Sequence, residues 1–260
     1  MDRRQVLKAA GVTSTVSLAA GLGAASDDEG HGRGRGNGRT GDDRGQGQDQ
    51  RACSQSNCIH PVLGYSGLTA DEQLPQPLQP DHAVELETRP PSGERPLPEF
   101  IFEPTGLHVE PGDVVRFDLV APDHTVTAYH PSLGRQRRVP EGVPAFSSPV
   151  LGQGTFWLYR FDQPGVYDVL CAPHEIFGMV GRIVVGDPPA EPNFGPAGEV
   201  DVNGETVDLR PPELTAELVY ADPALEPATI AEQGRVSWDA LQPESKRVLV
   251  EFPEPPAEGE

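Results

Sequence analysis

The chain has 260 residues, and its 40 acidic side chains outnumber its 20 lysines and arginines, so that the formal net charge is −20. A chain this acidic cannot hold a nucleic-acid backbone by charge, and we expect no nucleic-acid partner. No apolar run approaches the roughly 20 residues that span a bilayer, which excludes a polytopic membrane protein. Only Lys8 and Lys246 are lysines. This composition favours a protein of high-salt surroundings, where screening weakens self-repulsion; an ordinary acidic secreted protein is the alternative.

The first 25 residues have the pattern of an export signal. Arg3 and Arg4 stand just before a mildly apolar stretch, Val12–Ala25, and the pair resembles a twin-arginine signal. The stretch is too short and too polar for a stable transmembrane helix. We therefore expect residues 1–25 to be a twin-arginine signal segment, with membrane contact only through it if it stays uncleaved. An amphipathic N-terminus of a cytosolic protein is the alternative. Export would place the protein outside the cell, at the cell surface or at the outer face of the cytoplasmic membrane.

Two segments of unusual composition follow the signal segment. Residues 26–51 are nearly all Gly, Asp, Arg, Gln and Asn. They have too few apolar side chains to offset the entropy of ordering, which predicts a disordered tether. Residues 52–98 form a Pro-rich N-terminal extension with one strand-like piece at Ala83–Thr88.

The chain has three cysteines, of which Cys53 and Cys58 are close together and Cys171 is distant. In an exported chain the close pair is a candidate disulfide. Two alternatives remain open, namely free thiols and a metal site that would include His60. Cys171 is left over in either case.

Residues 99–187 contain short runs of β-branched and aromatic residues separated by Gly and Pro turns. The predicted strands are Phe100–Glu103, Leu107–Glu110, Val114–Val120, His124–His130, Thr155–Phe161, Val166–Cys171 and Arg182–Val185. In the third of these, Val115, Phe117 and Leu119 alternate with Arg116 and Asp118, which is the period of a half-buried strand. Several short strands in one segment predict an all-β, antiparallel β-sandwich.

The loop after the sixth predicted strand has the spacing Cys-x2-His-x4-Met, at Cys171, His174 and Met179. A turn between two strands can aim a thiolate, an imidazole and a thioether at one point. Upstream, His124 opens another predicted strand and can supply a second imidazole. Two His and one Cys in a plane, with a weak axial Met, form the ligand set of a blue-copper site.

Several motifs together resemble the cupredoxin family, in particular plastocyanin, pseudoazurin and the halocyanins. They are the Phe-x-Pro sequence at Phe102–Pro104, the Val-x-Pro-Gly-Asp-x-Val segment at Val109–Val115, the strand Tyr167–Cys171 and the loop Cys171–Gly181. The resemblance covers residues 99–187. It implies a Greek-key sandwich with one mononuclear type 1 copper.

The resemblance also implies roles for single residues. The implied copper ligands are His124, Cys171, His174 and Met179. Pro173 has no backbone N–H and would limit hydrogen bonding near the Cys sulfur. Thr125 stands where many family members have an Asn that ties the two ligand loops together, and its hydroxyl could take part of that role.

These features predict an exported blue-copper protein that shuttles single electrons between redox-protein partners. A copper-binding or sequestering surface protein without a redox partner is the alternative. We find no arrangement of nucleophile and base and no phosphate-binding loop, so we expect an electron carrier and not an enzyme. A basic cluster at Arg135, Arg137 and Arg138 is interpreted as a solvated loop paired with the chain's own acids, or alternatively as a docking patch.

The C-terminal extension, residues 188–260, has 16 acids and four basic residues. Its apolar pieces are Leu214–Tyr220, Val236–Leu241 and Val248–Phe252, and Val202–Glu205 has the pattern of a hairpin turn. We expect both extensions to wrap the sandwich as extra strands or a short helix, without a second large domain.

Overall fold

The computed structural model describes residues 58–91, 97–189, 192–202 and 204–250. The predicted signal segment and tether lie outside these residues. Within them the protein is built mainly of strands, with two short α-helices near the C-terminal end. None of the helices in this described part is both long and apolar enough to cross a membrane.

The described strands form two five-stranded sheets and one separate hairpin. In chain order the strands are β1 (Tyr65–Gly67), β2 (His82–Arg89), β3 (Glu99–Glu103), β4 (Gly106–Val109), β5 (Asp113–Leu119), β6 (Thr127–Ala128), β7 (Phe156–Phe161), β8 (Gly165–Leu170), β9 (Val180–Val185), β10 (Gly198–Val202), β11 (Glu205–Leu209) and β12 (Arg235–Val236). The helices α1 (Leu214–Tyr220) and α2 (Pro227–Gln233) lie between β11 and β12.

The order of strands is β1-β7-β5-β2-β3 in the first sheet and β12-β4-β9-β8-β6 in the second. Most neighbours are antiparallel, whereas the pairs β2–β5 and β4–β9 are parallel. The predicted β-sandwich is confirmed, and the strands β1, β2 and β12 from outside residues 99–187 pair within its sheets.

One hydrophobic core lies between the two sheets, as the alternation along β5 predicts. Val115, Phe117 and Leu119 are buried in this core together with Trp157 and Cys171. The intervening Arg116 and Asp118 are only half-buried and form an ion pair. The period-2 pattern thus places one face of the strand on the core.

The two extensions form further cores on the outer faces of the sheets. On the second sheet, Leu170, Val180 and Val184 pack against α1, α2 and the buried Trp238. On the first sheet, Phe156 and Leu158 pack against Ile59 and Leu78. Because both faces are covered, strands such as β9 are apolar along nearly their whole length.

Six of the seven strands predicted in residues 99–187 are confirmed with boundary shifts of one or two residues. The strand predicted over His124–His130 is wrong for most of its length, because only Thr127–Ala128 is regular strand. Its first half bonds to a neighbouring loop, where the Leu151 amide donates to the His124 carbonyl at 3.3 Å. At its other end, the His130 Nδ1 accepts a hydrogen bond from the Ser132 amide at 3.1 Å, which caps a 3-10 turn.

The C-terminal extension combines the hairpin and the helices. β10 and β11 pair from Gly198–Leu209 to Val202–Glu205, which confirms the predicted hairpin turn. The apolar piece Leu214–Tyr220 is α1, and Val236–Leu241 divides into the end of β12 and a 3-10 turn at Trp238–Ala240. In α1 the side chains of Ala216, Val219 and Tyr220 face the core, which is helical spacing.

Candidate metal centre

The loop from Cys171 to Met179 connects β8 to β9 and is closed by its own backbone. The Cys171 amide donates to the Met179 carbonyl at 3.0 Å, and the Met179 amide donates to the His174 carbonyl at 3.2 Å. Gly178 has φ 86°, and a Cβ there would lie 3.0 Å from the Thr215 side chain of α1. Glycine is therefore required both for the left-handed backbone and for the close approach of α1.

His124 lies in the segment before β6, which pairs with β8 at the edge of the second sheet. It follows Asp123, whose φ of 66° is a left-handed conformation that aspartate tolerates better than most residues. The His124 side chain is fully buried, whereas His174 is only half-buried.

Three potential ligand atoms converge between these segments. The Nδ1 atoms of His124 and His174 are 3.1 Å apart. The Cys171 Sγ lies 3.6 Å from the first of these nitrogens and 3.4 Å from the second. Among the described residues, these three form a group in which all ligand atoms lie within 4.8 Å of one another.

Burial keeps all three side chains uncharged when no cation is bound. Burial raises the pKa of the Cys171 thiol to about 11 and, together with the neighbouring His174, lowers the pKa of His124 to about 4. Burial also lowers the pKa of His174. Near neutral pH both imidazoles therefore offer lone pairs, and a bound cation would favour the thiolate of Cys171.

Thr125 ties together the two segments that carry the candidate ligands. Its Oγ1 accepts a hydrogen bond from the Ala172 amide at 2.8 Å, and its own amide donates to the Cys171 Sγ at 3.4 Å. The hydroxyl therefore makes a connection between the segments. Pro173 is exposed beside Cys171 and has no amide proton to give to the sulfur. Met179 is fully buried in the same core as Cys171.

Two contacts at this site come from residues that the sequence did not indicate. The Thr88 Oγ1 on β2 lies 3.1 Å from the His124 Nε2. The Phe100 ring on β3 stacks on the His174 ring, with centroids 4.0 Å apart and an interplanar angle of 4°. Thr88 and Phe100 are directly opposite each other in the β2–β3 pair. No local sequence motif identifies either residue as part of the site, although both lie in predicted strands.

The candidate residues outside this site have other roles. Cys58 is disulfide-bonded, and Cys53, its predicted partner, lies outside the described residues. The His60 Nδ1 accepts hydrogen bonds from the Val62 and Leu63 amides. A disulfide leaves Cys58 no thiolate, so the alternative of a metal site there is not supported.

The basic cluster is not a solvated loop. Arg135 pairs with the buried Glu175 at 2.6 Å, and Arg138 pairs with the fully buried Asp168 at 2.7 Å. The Arg137 Nη1 donates to backbone carbonyls. The interpretation that the cluster pairs with the chain's own acids is correct for Arg135 and Arg138, but their pairs are buried because the C-terminal extension covers this face.

The donor set fits copper. Two imidazole nitrogens and one sulfur converge, and no carboxylate from the described part of the chain belongs to the group. The soft sulfur suits Cu(I) and the imidazoles suit Cu(II), whereas magnesium or calcium would require oxygen ligands.

Comparison with known proteins agrees with this chemistry. Residues 97–186, about a third of the chain, match the sequence model of the copper binding proteins of the plastocyanin/azurin family. Residues 97–186 are therefore similar to the copper-binding domain of that family, and the cofactor of this domain is copper.

Individual relatives are similar to this domain and not to the whole chain. A pseudoazurin from Paracoccus pantotrophus is 39% identical over 90 residues, which are 35% of this chain and 56% of that protein. A plastocyanin from Prochlorothrix hollandica is 33% identical over 89 residues, 33% of this chain and 63% of that protein. The chain thus spans less than two thirds of the length of these relatives. The solved pseudoazurin from Methylobacterium extorquens AM1 is 32% identical with a TM-score of 0.32, over 41% of this chain and 76% of that structure.

Proposed function

We propose that this protein is an exported blue-copper protein that binds one mononuclear copper and carries single electrons between redox partners. The observation that carries the proposal is the convergence of the Nδ1 atoms of His124 and His174 with the Sγ of Cys171. We assign these three residues, together with the buried Met179, as the residues that would hold the copper. Bound copper supplies a one-electron couple between Cu(I) and Cu(II).

In this proposal the role of the protein is to hold the ligand set in a fixed geometry. Cys171 and Met179 are connected by a backbone hydrogen bond, and Thr125 holds the segment of His124 to the loop. A site held by these bonds would require little movement of the copper ligands between the two charge states, which would favour rapid electron transfer. The proposal assigns no residue as a catalytic nucleophile or base, and the proposed role of the protein is that of an electron carrier.

His174 is the proposed site of electron entry and exit. It is half-buried, whereas His124 and Cys171 are fully buried. Ile176, in the turn after His174, is 41% exposed, and Leu214, in the first turn of the adjacent α1, is 65% exposed. A redox protein with a complementary apolar surface is the proposed partner, because high salt would screen long-range attraction.

The place of action is also part of the proposal. The Arg3-Arg4 pair and the apolar stretch after it support export by the twin-arginine route, and the excess of acids supports high-salt surroundings. Residues 26–51 would then act as a tether between the signal segment and the domain.

Electrochemistry and electron self-exchange of the copper-loaded protein test the carrier function. We expect a reversible one-electron couple and a self-exchange rate high enough to broaden the NMR signals of mixed oxidised and reduced samples. A protein that holds Cu(I) without giving a visibly absorbing Cu(II) form, or that cycles sluggishly, would instead be a copper-sequestering protein.

A further inference from the structure

The loop between Cys171 and Met179 contains one acidic residue, Glu175, and its side chain is buried. Glu175 is 2% exposed although it directly follows the half-buried His174. A carboxylate taken out of water is costly unless it is paired and hydrogen-bonded. The contacts of this carboxylate therefore explain how it is stabilised in its buried position.

Three donors from three parts of the chain meet the carboxylate. The Tyr129 hydroxyl donates to Oε1 at 2.7 Å, and the Arg135 Nη2 contacts Oε2 at 2.6 Å. The backbone amide of Glu213, the residue just before α1, donates to Oε1 at 3.2 Å. Glu213 lies outside the family-matched residues 97–186, so the carboxylate connects the ligand loop to the C-terminal extension.

The segment that carries Arg135 is itself held by the same extension. The Gln136 amide donates to the Arg210 carbonyl at 2.8 Å, and the Arg210 amide donates to the Gly134 carbonyl at 3.1 Å. Two of the three contacts to Glu175 thus depend on residues 210–213. The C-terminal extension is in this way part of the support of the ligand loop.

The main chain of Glu175 is fixed as firmly as its side chain. Its amide donates to the Cys171 carbonyl at 2.8 Å, and its carbonyl accepts from the Gly178 amide at 2.8 Å. We propose that Glu175 is a positioning residue that anchors the turn carrying His174 and Met179, and that Arg135 balances its charge beside the candidate metal centre. This inference rests on the proposed function for its copper readout, but its loop readout requires no metal.

The first test is amide hydrogen exchange of the metal-free full chain. Glu175→Gln keeps the shape of the side chain but removes the charge that holds Arg135. We expect the Gly178 and Met179 amides to exchange at least about tenfold faster than in the wild type, because local opening becomes easier. Asp162→Asn is the matched control, since Asp162 pairs with Arg160 at the surface. Unchanged exchange in Glu175→Gln would overturn the positioning role.

A milder pair of variants at Glu213 isolates the contact from the extension. Glu213 has φ −61°, which proline adopts without strain, so Glu213→Pro removes the donating amide and leaves the backbone path in place. Glu213→Ala removes the side chain and keeps the amide. We expect faster exchange at Met179 in the proline variant only. Equal exchange in the two variants would contradict a role for the extension.

The second test is the reduction potential of the copper-loaded variants. Loss of charge should shift the potential in opposite directions in the two variants, whereas loosening of the loop would shift it in the same direction in both. Glu175→Gln removes a negative charge and should favour Cu(I), whereas Arg135→Gln removes a positive charge and should favour Cu(II). We expect the Cu(II)/Cu(I) ratio at a fixed potential to change about tenfold in opposite directions, about 59 mV for one electron. Shifts in the same direction would overturn the charge-balancing role. If the wild type gives no copper couple at all, the proposed function fails, and the exchange experiments still decide the positioning role.

Discussion

Thr88 and Phe100 show how single residues of the first sheet hold both imidazoles of the proposed copper centre. They face each other across the β2–β3 pair, where the first contacts the His124 Nε2 and the second stacks on the His174 ring. A histidine that bonds through Nε2 to a neighbour presents Nδ1 to the metal, because the hydrogen bond fixes the ring and its tautomer. The N-terminal extension, which supplies Thr88, therefore contributes to the site.

Replacing Thr88 by valine tests this contact. Valine keeps the shape and loses the hydroxyl, so the His124 ring loses its anchor. We expect copper affinity to fall about 10- to 100-fold, the usual effect of removing a hydrogen bond to a metal-bound histidine. Competition with a chelator of known affinity measures the change. Thr88→Ser should restore most of the affinity; if serine and valine behave alike, the hydroxyl has no such role.

The proposed ligand residues could be recognised as candidates from sequence because Cys171, His174 and Met179 are close together in the chain and their spacing is distinctive. Thr88 could not, because 36 residues separate it from His124 and their contact exists only once β2 joins the sheet. The burial of Glu175 could not be predicted from sequence either, since a charged residue in a loop is normally exposed to water.

At the scale of elements, β8 and β9 are joined to the neighbouring segments by a buried ion cluster. The Asp168 carboxylate of β8 is fully buried and contacts the Arg182 Nε of β9 at 2.7 Å and the Arg138 Nη2 at 2.7 Å. The Arg182 Nη1 also donates to the Leu225 carbonyl in the C-terminal extension at 2.8 Å. The cluster thus fixes the covering layer on the second sheet.

Asp168→Asn should be strongly destabilising, because it leaves two buried guanidinium groups without their counter-charge. We expect a loss of about 3–5 kcal/mol in the free energy of unfolding, measured by denaturant titration of the metal-free protein. The matched substitution Asp162→Asn breaks an exposed pair with Arg160 and should cost no more than about 1 kcal/mol. Similar losses in the two variants would contradict the buried role of Asp168.

Secondary-structure elements could be predicted where the pattern lies within their own residues. They could not be predicted where the structure depends on distant parts of the chain. Strands that are bounded by turn residues at both ends, such as β5 and β7, are found where the sequence predicts them. The strand over His124–His130 is mostly absent, because its partner is an irregular loop that no pattern indicates. Leu214–Tyr220 left strand and helix open, since a short apolar piece fits either until its packing surface is known.

At the scale of the whole molecule, the net charge of −20 produces electrostatic repulsion between acidic side chains, which opposes folding. The first sheet illustrates it at Glu85, an exposed side chain whose pKa is raised by partial desolvation and by the nearby Glu87, Asp118 and Glu103. A carboxyl whose folded pKa is above its unfolded value destabilises the fold once it is ionised. This penalty is present at neutral pH and disappears as the pH falls through the folded pKa.

Glu85→Gln should therefore stabilise the protein at neutral pH and low salt. We expect the difference from the wild type to shrink at about 1 M salt, where the Debye length is about 3 Å, and at acidic pH, where Glu85 is protonated. Unfolding midpoints across salt and pH measure it, with Glu205→Gln, an exposed acid of the β10–β11 hairpin, as the control. A difference independent of salt and pH would show that repulsion at Glu85 is negligible.

The visible absorption of the protein during titration with Cu(II) tests the copper site most directly. In the wild type we predict an intense thiolate-to-copper band that saturates at one copper per chain, because Cys171 Sγ lies against the two imidazoles. In Cys171→Ser the band should be absent. A wild type without the band, or a serine variant that keeps it, would contradict the assignment of Cys171, His124 and His174 as the copper centre.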